Sequence, residues 1–261
     1  RDSRRGGTNA APVRPDESFP NDPEWSSFGS DTVMNYEVGI KSQLDRLNYT
    51  MSAFYVDWSD PQVNVATPSG AYYAVANGNS ASSKGIETEF NWALSDAITM
   101  FGGYTYVDAS LSNDLYLHDA SDLTSGKSEL RATNGAQLPG TPKNTINIGA
   151  KHEQILDSGL LLITRVDGYY QSDVENSILN IDPDWATTLD GFDLWFMSTT
   201  LVADHWTASL VAKNLFNERG TVATYKEEYM TSDVVNGFYG TGQKDFITAP
   251  RTITLKASYR F

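Results

Sequence analysis

Composition limits what this chain of 261 residues can be. Its 19 Lys and Arg stand against 33 Asp and Glu, and a net charge of −14 argues against a nucleic-acid partner because no continuous basic groove is available. It contains no cysteine, which excludes disulfides and Cys-ligated metals. The mean hydropathy is −0.39. The longest aliphatic run, Leu160–Ile163, excludes a spanning helix, which needs about 20 apolar residues.

Hydrophobic alternation recurs along most of the chain and predicts an all-β, antiparallel protein. Apolar and polar residues alternate, which places them on opposite faces of a strand. Ile86, Phe90 and Trp92, for example, alternate with Glu87 and Glu89. In chain order, we predict nine strands, at Met34–Lys41, Leu47–Val65, Ala71–Leu94, Ile98–Leu111, Thr141–Ile155, Leu160–Glu175, Phe192–Ala203, Trp206–Phe216 and Arg251–Phe261.

The last predicted strand indicates a membrane. Its apolar residues are Ile253, Leu255, Ala257, Tyr259 and Phe261, and polar residues separate them up to the terminal carboxylate. An aromatic residue at the last position suits a bilayer interface, where rings lie at the headgroup level and an arginine reaches water. Half of each strand in a transmembrane barrel faces a wet interior, so the low mean hydropathy is compatible with one.

The connections between strands divide into two kinds by position. Those at one end are tight turns, at Gln43–Arg46, Ser95–Ala97, Leu156–Gly159 and Asp204–His205. Those at the other end are one short turn and three long loops, at Pro68–Gly70, Ser112–Gly140, Asn176–Leu189 and Asn217–Ala249. Such asymmetry is typical of outer-membrane barrels, which have tight periplasmic turns and long extracellular loops. We therefore predict an extracellular loop segment over 1–30 and barrel strands over 31–261.

The strand number predicts that the barrel is incomplete. The first and ninth strands of an up-and-down sheet run in the same direction and cannot close a ring as antiparallel neighbours. An open edge in lipid leaves backbone groups without partners. The chain is thus expected to be the C-terminal part of a larger barrel. Arg1–Gly7 is charged and no apolar core follows it, so no signal peptide is predicted and the start of a secreted protein would be missing.

Several motifs together resemble those of TonB-dependent receptors. They occur in the family's order, at 35–41, 84–89, 138–142, 211–218 and 250–261. The resemblance implies an active importer in the outer membrane of a Gram-negative bacterium, with a barrel of about 22 strands that an N-terminal plug occludes and TonB powers. The nine strands would be the last of that barrel, and the earlier strands and the plug would lie outside this chain. The expected contacts are bilayer lipid, lipopolysaccharide and a glycan or iron–siderophore ligand. The alternative is a plugless structural or adhesion protein of the outer membrane.

Some residues in these motifs have structural interpretations that we favour over ligand binding. Asn214–Asn217 is predicted to turn the chain where a strand leaves the membrane, with Phe216 in an aromatic girdle. Glu87 and Glu89, about 7 Å apart on one strand and beside Lys84, are expected to be solvated or paired across the interior. The inward pair formed by Arg165 and Asp167 is interpreted in the same way.

An enzyme is not predicted. The three histidines are His118, His152 and His205, and no nucleophile motif accompanies them. A Gly-x-Ser-x-Gly elbow and a His-Glu-x-x-His helix are both absent from the sequence. We predict no catalytic residue, no metal ligand and no cofactor.

Candidate ligand contacts are the aromatic residues of the long loops and two tyrosines beside the short turn at Pro68–Gly70, because rings can stack on sugars or on aromatic chelators. The loop that follows Asn217 is acidic, which favours a neutral glycan or a neutral or cationic chelate over a strongly anionic one. The candidate ligand-binding residues are Tyr72, Tyr73, Tyr116, Trp185, Tyr225, Tyr229 and Tyr239.

Overall fold

A nine-stranded antiparallel sheet dominates the protein. The computed structural model describes residues 2–9, 27–66, 73–118, 128–178, 187–226 and 243–261. Each strand pairs with the next along the chain, so that β1 and β9 form the two edges of the sheet. The strands are β1 (Thr32–Leu44), β2 (Leu47–Ser59), β3 (Ser80–Ala93), β4 (Ile98–Leu111), β5 (Asn144–Ile155), β6 (Leu161–Gln171), β7 (Phe192–Val202), β8 (Trp206–Lys213) and β9 (Thr252–Tyr259).

The predicted class, all-β and antiparallel, is confirmed, and the nine strands of the sheet fall within the nine predicted segments or near their ends. The second and third predicted strands are too long. Asp60 adopts a positive φ of 53° and the buried Pro61 follows it, so β2 ends at Ser59. Residues 62–66 then pair with 73–77 outside the sheet. The predicted turn at Pro68–Gly70 lies outside the described residues.

The register of the strands sorts the side chains onto two faces. One face, called here the apolar face, crosses the sheet through Ile40, Met51, Thr88, Tyr104, Ile146 and Tyr170. The opposite face, called here the polar face, crosses it through Lys41, Thr50, Glu89, Gly103, Asn147 and Tyr169. Large apolar side chains remain exposed, with Leu255 78% and Val38 73% accessible. In water such a surface is costly, whereas hydrocarbon covers it without penalty.

Glycines paired with aromatic residues fix the register of four strand pairs. A Cβ on Gly168 would lie 2.9 Å from ring carbons of Trp195, and one on Gly85 would lie 2.6 Å from a ring carbon of Phe54. Each ring therefore lies over a position that has no side chain, and a slipped register would place a side chain there. The directly opposed pairs are Phe54 with Gly85, Phe90 with Gly102, Phe101 with Gly149 and Trp195 with Gly168.

Tight turns join the strands at one end, called here the turn end. Asp45 and Gly159 adopt positive φ values of 33° and 78° there, as short turns require. An ion pair of 2.8 Å joins Arg46 to Asp96 of the neighbouring turn. The backbone N–H of Arg260 donates to the carbonyl of His205 at 2.7 Å, which fastens the end of β9 to the turn before β8.

Short strand pairs extend the opposite end, called here the ribbon end. In the described part of the chain there are five such ribbons, Gly7–Thr8 with Ser27–Phe28, Gln62–Ala66 with Tyr73–Asn77, Leu115–His118 with Ser128–Ala132, Val174–Glu175 with Thr188–Leu189, and Thr221–Lys226 with Gln243–Ile247. Each ribbon lies before β1 or in a connection at the end for which one short turn and three long loops were predicted. The asymmetry between the two ends therefore persists in three dimensions.

A small apolar core lies at the ribbon end. It contains Ala81 and Leu111 from the sheet, and Leu115, Ala132, Ala136 and Ile178 from the connections. The connection Ser112–Gly140, predicted as a long loop, supplies the buried Leu115, Ala132 and Ala136 to this core. The core packs the connections onto the strand ends.

The two faces give a matched pair of substitutions. Leu255→Arg places a charge on the apolar face, where it should lower the free energy of unfolding in a bilayer by about 2 to 4 kcal/mol near the midplane. Lys256→Arg, one residue further on the polar face, should have almost no effect. Denaturant titration of the intact protein in lipid vesicles measures both. Equal effects at the two positions would contradict the assignment of the faces.

Candidate functional site

Asparagine side chains fasten the ribbons to one another. The amide of Asn9 pairs with the backbone of Val75 in the next ribbon, donating to its carbonyl at 2.9 Å and accepting from its N–H at 2.8 Å. Asn176 pairs in the same way with Thr224, at 2.8 and 3.1 Å. The Asn77 amide accepts from the N–H of Gly29 at 2.6 Å. Each of these side-chain amides, called here a clamp, offers a donor and an acceptor as the backbone of a neighbouring strand would. It therefore joins ribbons that are far apart in sequence.

A buried carboxylate anchors the first ribbon. Asp31 is 1% exposed and accepts hydrogen bonds from the backbone N–H and the Nε of Arg4, at 2.9 and 2.8 Å. The indole Nε1 of Trp58 donates to it at 2.9 Å, and the guanidinium of Arg4 lies 5.2 Å from the centre of the Trp58 ring. The hydrogen bonds from Arg4, and to a smaller extent that from Trp58, lower the pKa of Asp31 to about 2 against the opposing effect of burial.

A pocket of about 400 Å³ opens between the last two ribbons. Its charged lining residues are Asp190, Glu218, Arg219 and Asp245, three carboxylates and one guanidinium. Thr224 donates to the carboxylate of Asp245 at 2.8 Å, and the Asn176 clamp holds the Thr224 backbone. The pocket is therefore acidic and built on fixed backbone. In the described ranges, no group of three or more His, Asp or Glu side chains is arranged to hold a metal ion.

The Asn214–Asn217 turn is structural, as predicted. Asn214 and Asn217 both adopt positive φ, 50° and 59°. The Asn214 amide donates to the carbonyls of Glu218 and Ala249 at 2.9 and 2.8 Å. Phe216 packs edge-on against Trp195, with ring centres 6.4 Å apart. The asparagines therefore turn the chain, and Phe216 joins an aromatic cluster at the ribbon end.

The polar face also carries cavities, which lie over β1 to β5. One, of about 500 Å³, is lined by Glu37, Lys41, Glu87, Glu89 and Asn147 among others. The expectation that Lys84 lies beside the two glutamates of its strand is wrong. Strand alternation turns Lys84 to the apolar face, where its Nζ lies 3.4 Å from the Asp108 carboxylate. On the polar face Arg165 pairs with Asp167 at 2.7 Å and lies 4.4 Å from the Phe101 ring centre.

The structure tests the position of few of the candidate aromatic residues. Tyr116 lies in the third ribbon with 52% of its surface exposed. The backbone of Tyr73 lies in the second ribbon and that of Tyr225 in the fifth. Tyr72, Trp185, Tyr229 and Tyr239 lie outside the described residues. The seven residues thus stay a prediction as a ligand site.

Sequence reasoning missed the residues that organise the ribbon end. Asn9, Asn77 and Asn176 were not singled out, because an asparagine in a loop ordinarily indicates only a turn. Asp31 was assigned to the start of the barrel and not to a buried ion pair. Its one available signal was its place directly before a strand, which is too common to identify a partner 27 residues away.

The fold and the site together define a class of protein. A meandering antiparallel sheet with an exposed apolar face, a polar face, tight turns at one end and folded ribbons at the other is a transmembrane β-barrel architecture of the outer-membrane type. The family model described as TonB dependent receptor-like, beta-barrel, matches residues 13–215. The chain belongs to the TonB-dependent receptor family.

The similar proteins are longer than this chain, and one of them aligns with only part of it. The metal-pseudopaline receptor CntO of Pseudomonas aeruginosa is 31% identical over 90 residues, which are 34% of this chain and 12% of that protein. The ferric yersiniabactin uptake receptor FyuA of Yersinia pestis aligns with a TM-score of 0.69 and 16% identity, over 99% of this chain and 33% of that one. The ferric preacinetobactin receptor BauA of Acinetobacter baumannii aligns at 0.60 and 20% identity, over 90% and 30%. The chain thus spans about a third of the length of the solved structures.

The Asn176 clamp gives a first test of the ribbon end. Asn176→Ala should leave the buried N–H of Thr224 without a partner, at a cost of about 1 to 3 kcal/mol, so its amide should exchange with deuterium roughly tenfold faster. Hydrogen–deuterium exchange of the intact protein measures this. Asn48→Ala is the control, because the Asn48 side chain makes no hydrogen bond among the described residues. Unchanged exchange at Thr224 would show that the clamp does not hold the ribbon.

The Asp31 ion pair predicts a specific pH response. A carboxyl group whose pKa is lower in the folded than in the unfolded state stabilises the fold fully when the pH is above its unfolded pKa. This stabilisation is lost as the pH falls towards its folded pKa. A spin label on Arg5→Cys should therefore stay immobile from pH 7 to about 4 and loosen between 3.8 and about 2. In Asp31→Asn the label should be loose at every pH. A label that loosened already near pH 6 would exclude Asp31 as the anchor.

Proposed function

We propose that the intact protein is a TonB-dependent importer of a metal chelate in the outer membrane, and that this chain supplies its C-terminal barrel strands. Membership of the receptor family is the observation that carries the proposal. Three proteins compared above are named as receptors for metal-pseudopaline, ferric yersiniabactin and ferric preacinetobactin. A metal chelate is therefore the ligand class that we favour over an oligosaccharide.

The proposed topology places the ribbon end outside the cell and the turn end in the periplasm. Residues 1–30 would be extracellular and residues 31–261 would form barrel wall with its loops. In the described sheet the edge strands β1 and β9 have no strand partner on their outer sides, apart from a bridge between Val33 of β1 and Asp2. Because a bilayer leaves no water for unpaired backbone groups, we propose that further strands of a barrel of about 22 cover both edges. A plug within that barrel would contact TonB.

The charge of the pocket at the ribbon end narrows the class of ligand further. The pocket between the last two ribbons presents Asp190, Glu218 and Asp245 against a single Arg219. Such a lining repels a strongly anionic chelate and favours one that is neutral or cationic. Tyr116, exposed in the third ribbon, offers a ring for stacking on an aromatic or heterocyclic chelator. We propose the aromatic residues of the ribbons and of their connections as the ligand-contacting set.

Uptake of a defined panel tests the proposal. The intact gene is expressed in a strain without other iron receptors, and cells are offered radiolabelled metal as neutral, cationic or strongly anionic chelates. We expect accumulation of a neutral or cationic chelate that disappears when TonB is deleted. Tyr116→Ala should lower the apparent affinity by roughly threefold to tenfold, whereas Tyr104→Ala on the apolar face should not.

The outcomes separate the alternatives. Uptake of oligosaccharide without any chelate would move the ligand to the glycan class. Accumulation that persists without TonB would exclude an energised importer. Absence of any TonB-dependent uptake, with protein present in the outer membrane, would favour the plugless structural or adhesion protein.

A further inference from the structure

An apolar patch interrupts the polar face at the turn end. Alternation along β5 from Asn147 places Ile155 on that face. Ile155 lies directly opposite Leu161 of β6, which in turn lies opposite Val202 of β7. Ile163 follows Leu161 by two residues and shares its side of the sheet. The patch formed by these four apolar residues is called here the seat, and Ile155 is 77% exposed in it.

The polar side chains that border the seat are already paired with one another. Glu153 and Thr200 lie opposite Ile163 on its two sides. Thr207 lies opposite Val202. The three pairs are Lys151 with Glu153 at 3.2 Å, Thr200 with Ser209 at 2.9 Å, and Thr207 with Ser258 at 2.6 Å. This part of the polar face therefore presents mainly apolar surface to a partner.

The same face is different over β1 to β3. Glu37, Lys41, Glu87 and Glu89 line a cavity of about 500 Å³ there. Among the residues that the structure describes, none of these four charged side chains makes a hydrogen bond or an ion pair. They need water, or a partner that brings polar groups of its own. The polar face thus offers two kinds of contact, ionic over β1 to β3 and apolar over β5 to β7.

Neither water nor lipid suits the seat. Water around a contiguous apolar patch is unfavourable. Hydrocarbon meets the opposite, apolar face of the sheet, and the face that carries the seat turns inward when the sheet closes into a barrel. This chain spans about a third of the length of FyuA and BauA. An intact protein of that length has enough further chain to place a domain inside the barrel, and an apolar side of that domain fits the seat.

We propose that the seat holds an apolar side of the plug, so that the plug stays attached along β5 to β7 while its opposite side releases from β1 to β3 and lets cargo pass; this rests on the importer proposed above. Apolar contact gains from excluding water and needs no matching charge on the partner. Contacts to charged groups on a wet wall compete with water and are individually weak. The two sides of the lumen therefore differ in how readily they let go.

Photo-crosslinking of the intact receptor in outer membranes tests the contact. The photo-crosslinker p-benzoylphenylalanine replaces Leu161 in one variant and Leu162, the next residue on the apolar face, in the other. After irradiation, peptide mass spectrometry identifies what each position contacts. We expect the Leu161 position to join a part of the same polypeptide that precedes Arg1, and the Leu162 position to join lipid. Attachment of the Leu161 position to lipid, to a second copy or to no protein would overturn the proposal.

Thiol protection measures how tightly the seat is covered. The chain contains no native cysteine, and Val202→Cys places a thiol in the seat. In the purified intact receptor a soluble thiol reagent should react with it slowly. Adding Ile163→Asn leaves a polar amide against an apolar partner, so the thiol should react roughly tenfold faster. Adding Ser198→Asn instead, on the same face of β7 but outside the seat, is the matched control and should not change the rate.

A heat-modifiable band on a gel shows that each variant is a folded barrel. Equal rates in the folded Ile163→Asn and Ser198→Asn variants would mean that the seat does not hold the plug.

Salt distinguishes the two sides of the lumen. Raising NaCl from 0.1 to 1 M shortens the screening length from about 10 Å to about 3 Å. Thr50→Cys, between Lys41 and Glu89 on the polar face, should then react roughly twofold to fivefold faster, whereas Val202→Cys should not. A salt effect that is absent at Thr50→Cys, or as large at Val202→Cys, would contradict release from β1 to β3.

Uptake separates this proposal from the import function. If the Leu161 position reaches the plug but no chelate accumulates through TonB, the import function is refuted and the contact stands. If chelate accumulates while the Leu161 position reaches no part of the polypeptide, only the seat is refuted.

Discussion

Backbone hydrogen bonding between neighbouring strands is the constraint from which the rest of the structure follows. Backbone groups within the hydrocarbon region of a bilayer have no water to hydrogen-bond. Each N–H and C=O there must therefore pair with the neighbouring strand. The ladder from β1 to β9 provides this continuously. Because the backbone groups of the strands pair with one another, they need no side-chain partners. The side chains can therefore alternate between an apolar and a polar face. The same ladder explains why irregular backbone is confined to the two ends.

The sheet was predictable from sequence because its signal is local and repeated. Alternation in segments such as Ile253 to Tyr259 identifies a strand and both of its faces without any knowledge of its neighbours. Tight turns are equally local, since Asp45 and Gly159 mark chain reversals by their own conformational preferences. Errors arose where alternation continued past the end of a strand. The stretch after Ser59 still alternates, yet the conformation of Asp60 and Pro61 moves it into a separate ribbon.

The ribbon end was not predictable, because its partners are distant in sequence and its residue types are ordinary. Asn176 meets Thr224 across 48 residues, and Asn9 meets Val75 across 66. Nothing in the residues around these asparagines separates a cross-ribbon clamp from a turn asparagine. Lys84 illustrates the opposite difficulty, since adjacency in sequence suggested a contact with Glu87 that alternation forbids. The register, and not the list of charged residues, decides which charges meet.

The asparagine clamps differ from ion pairs in how they respond to the medium. Salt screens ion pairs between exposed charges over distances of about 10 Å at 0.1 M, and acid removes those that depend on carboxylates. The amides of Asn9, Asn77 and Asn176 carry no charge and do not titrate. The hydrogen bonds that they make between ribbons are therefore insensitive to ionic strength, and it is the Asp31 anchor of the first ribbon that acid removes. The ribbons joined by Asn176 are thus held at one spacing by uncharged groups, in dilute and in salty media alike.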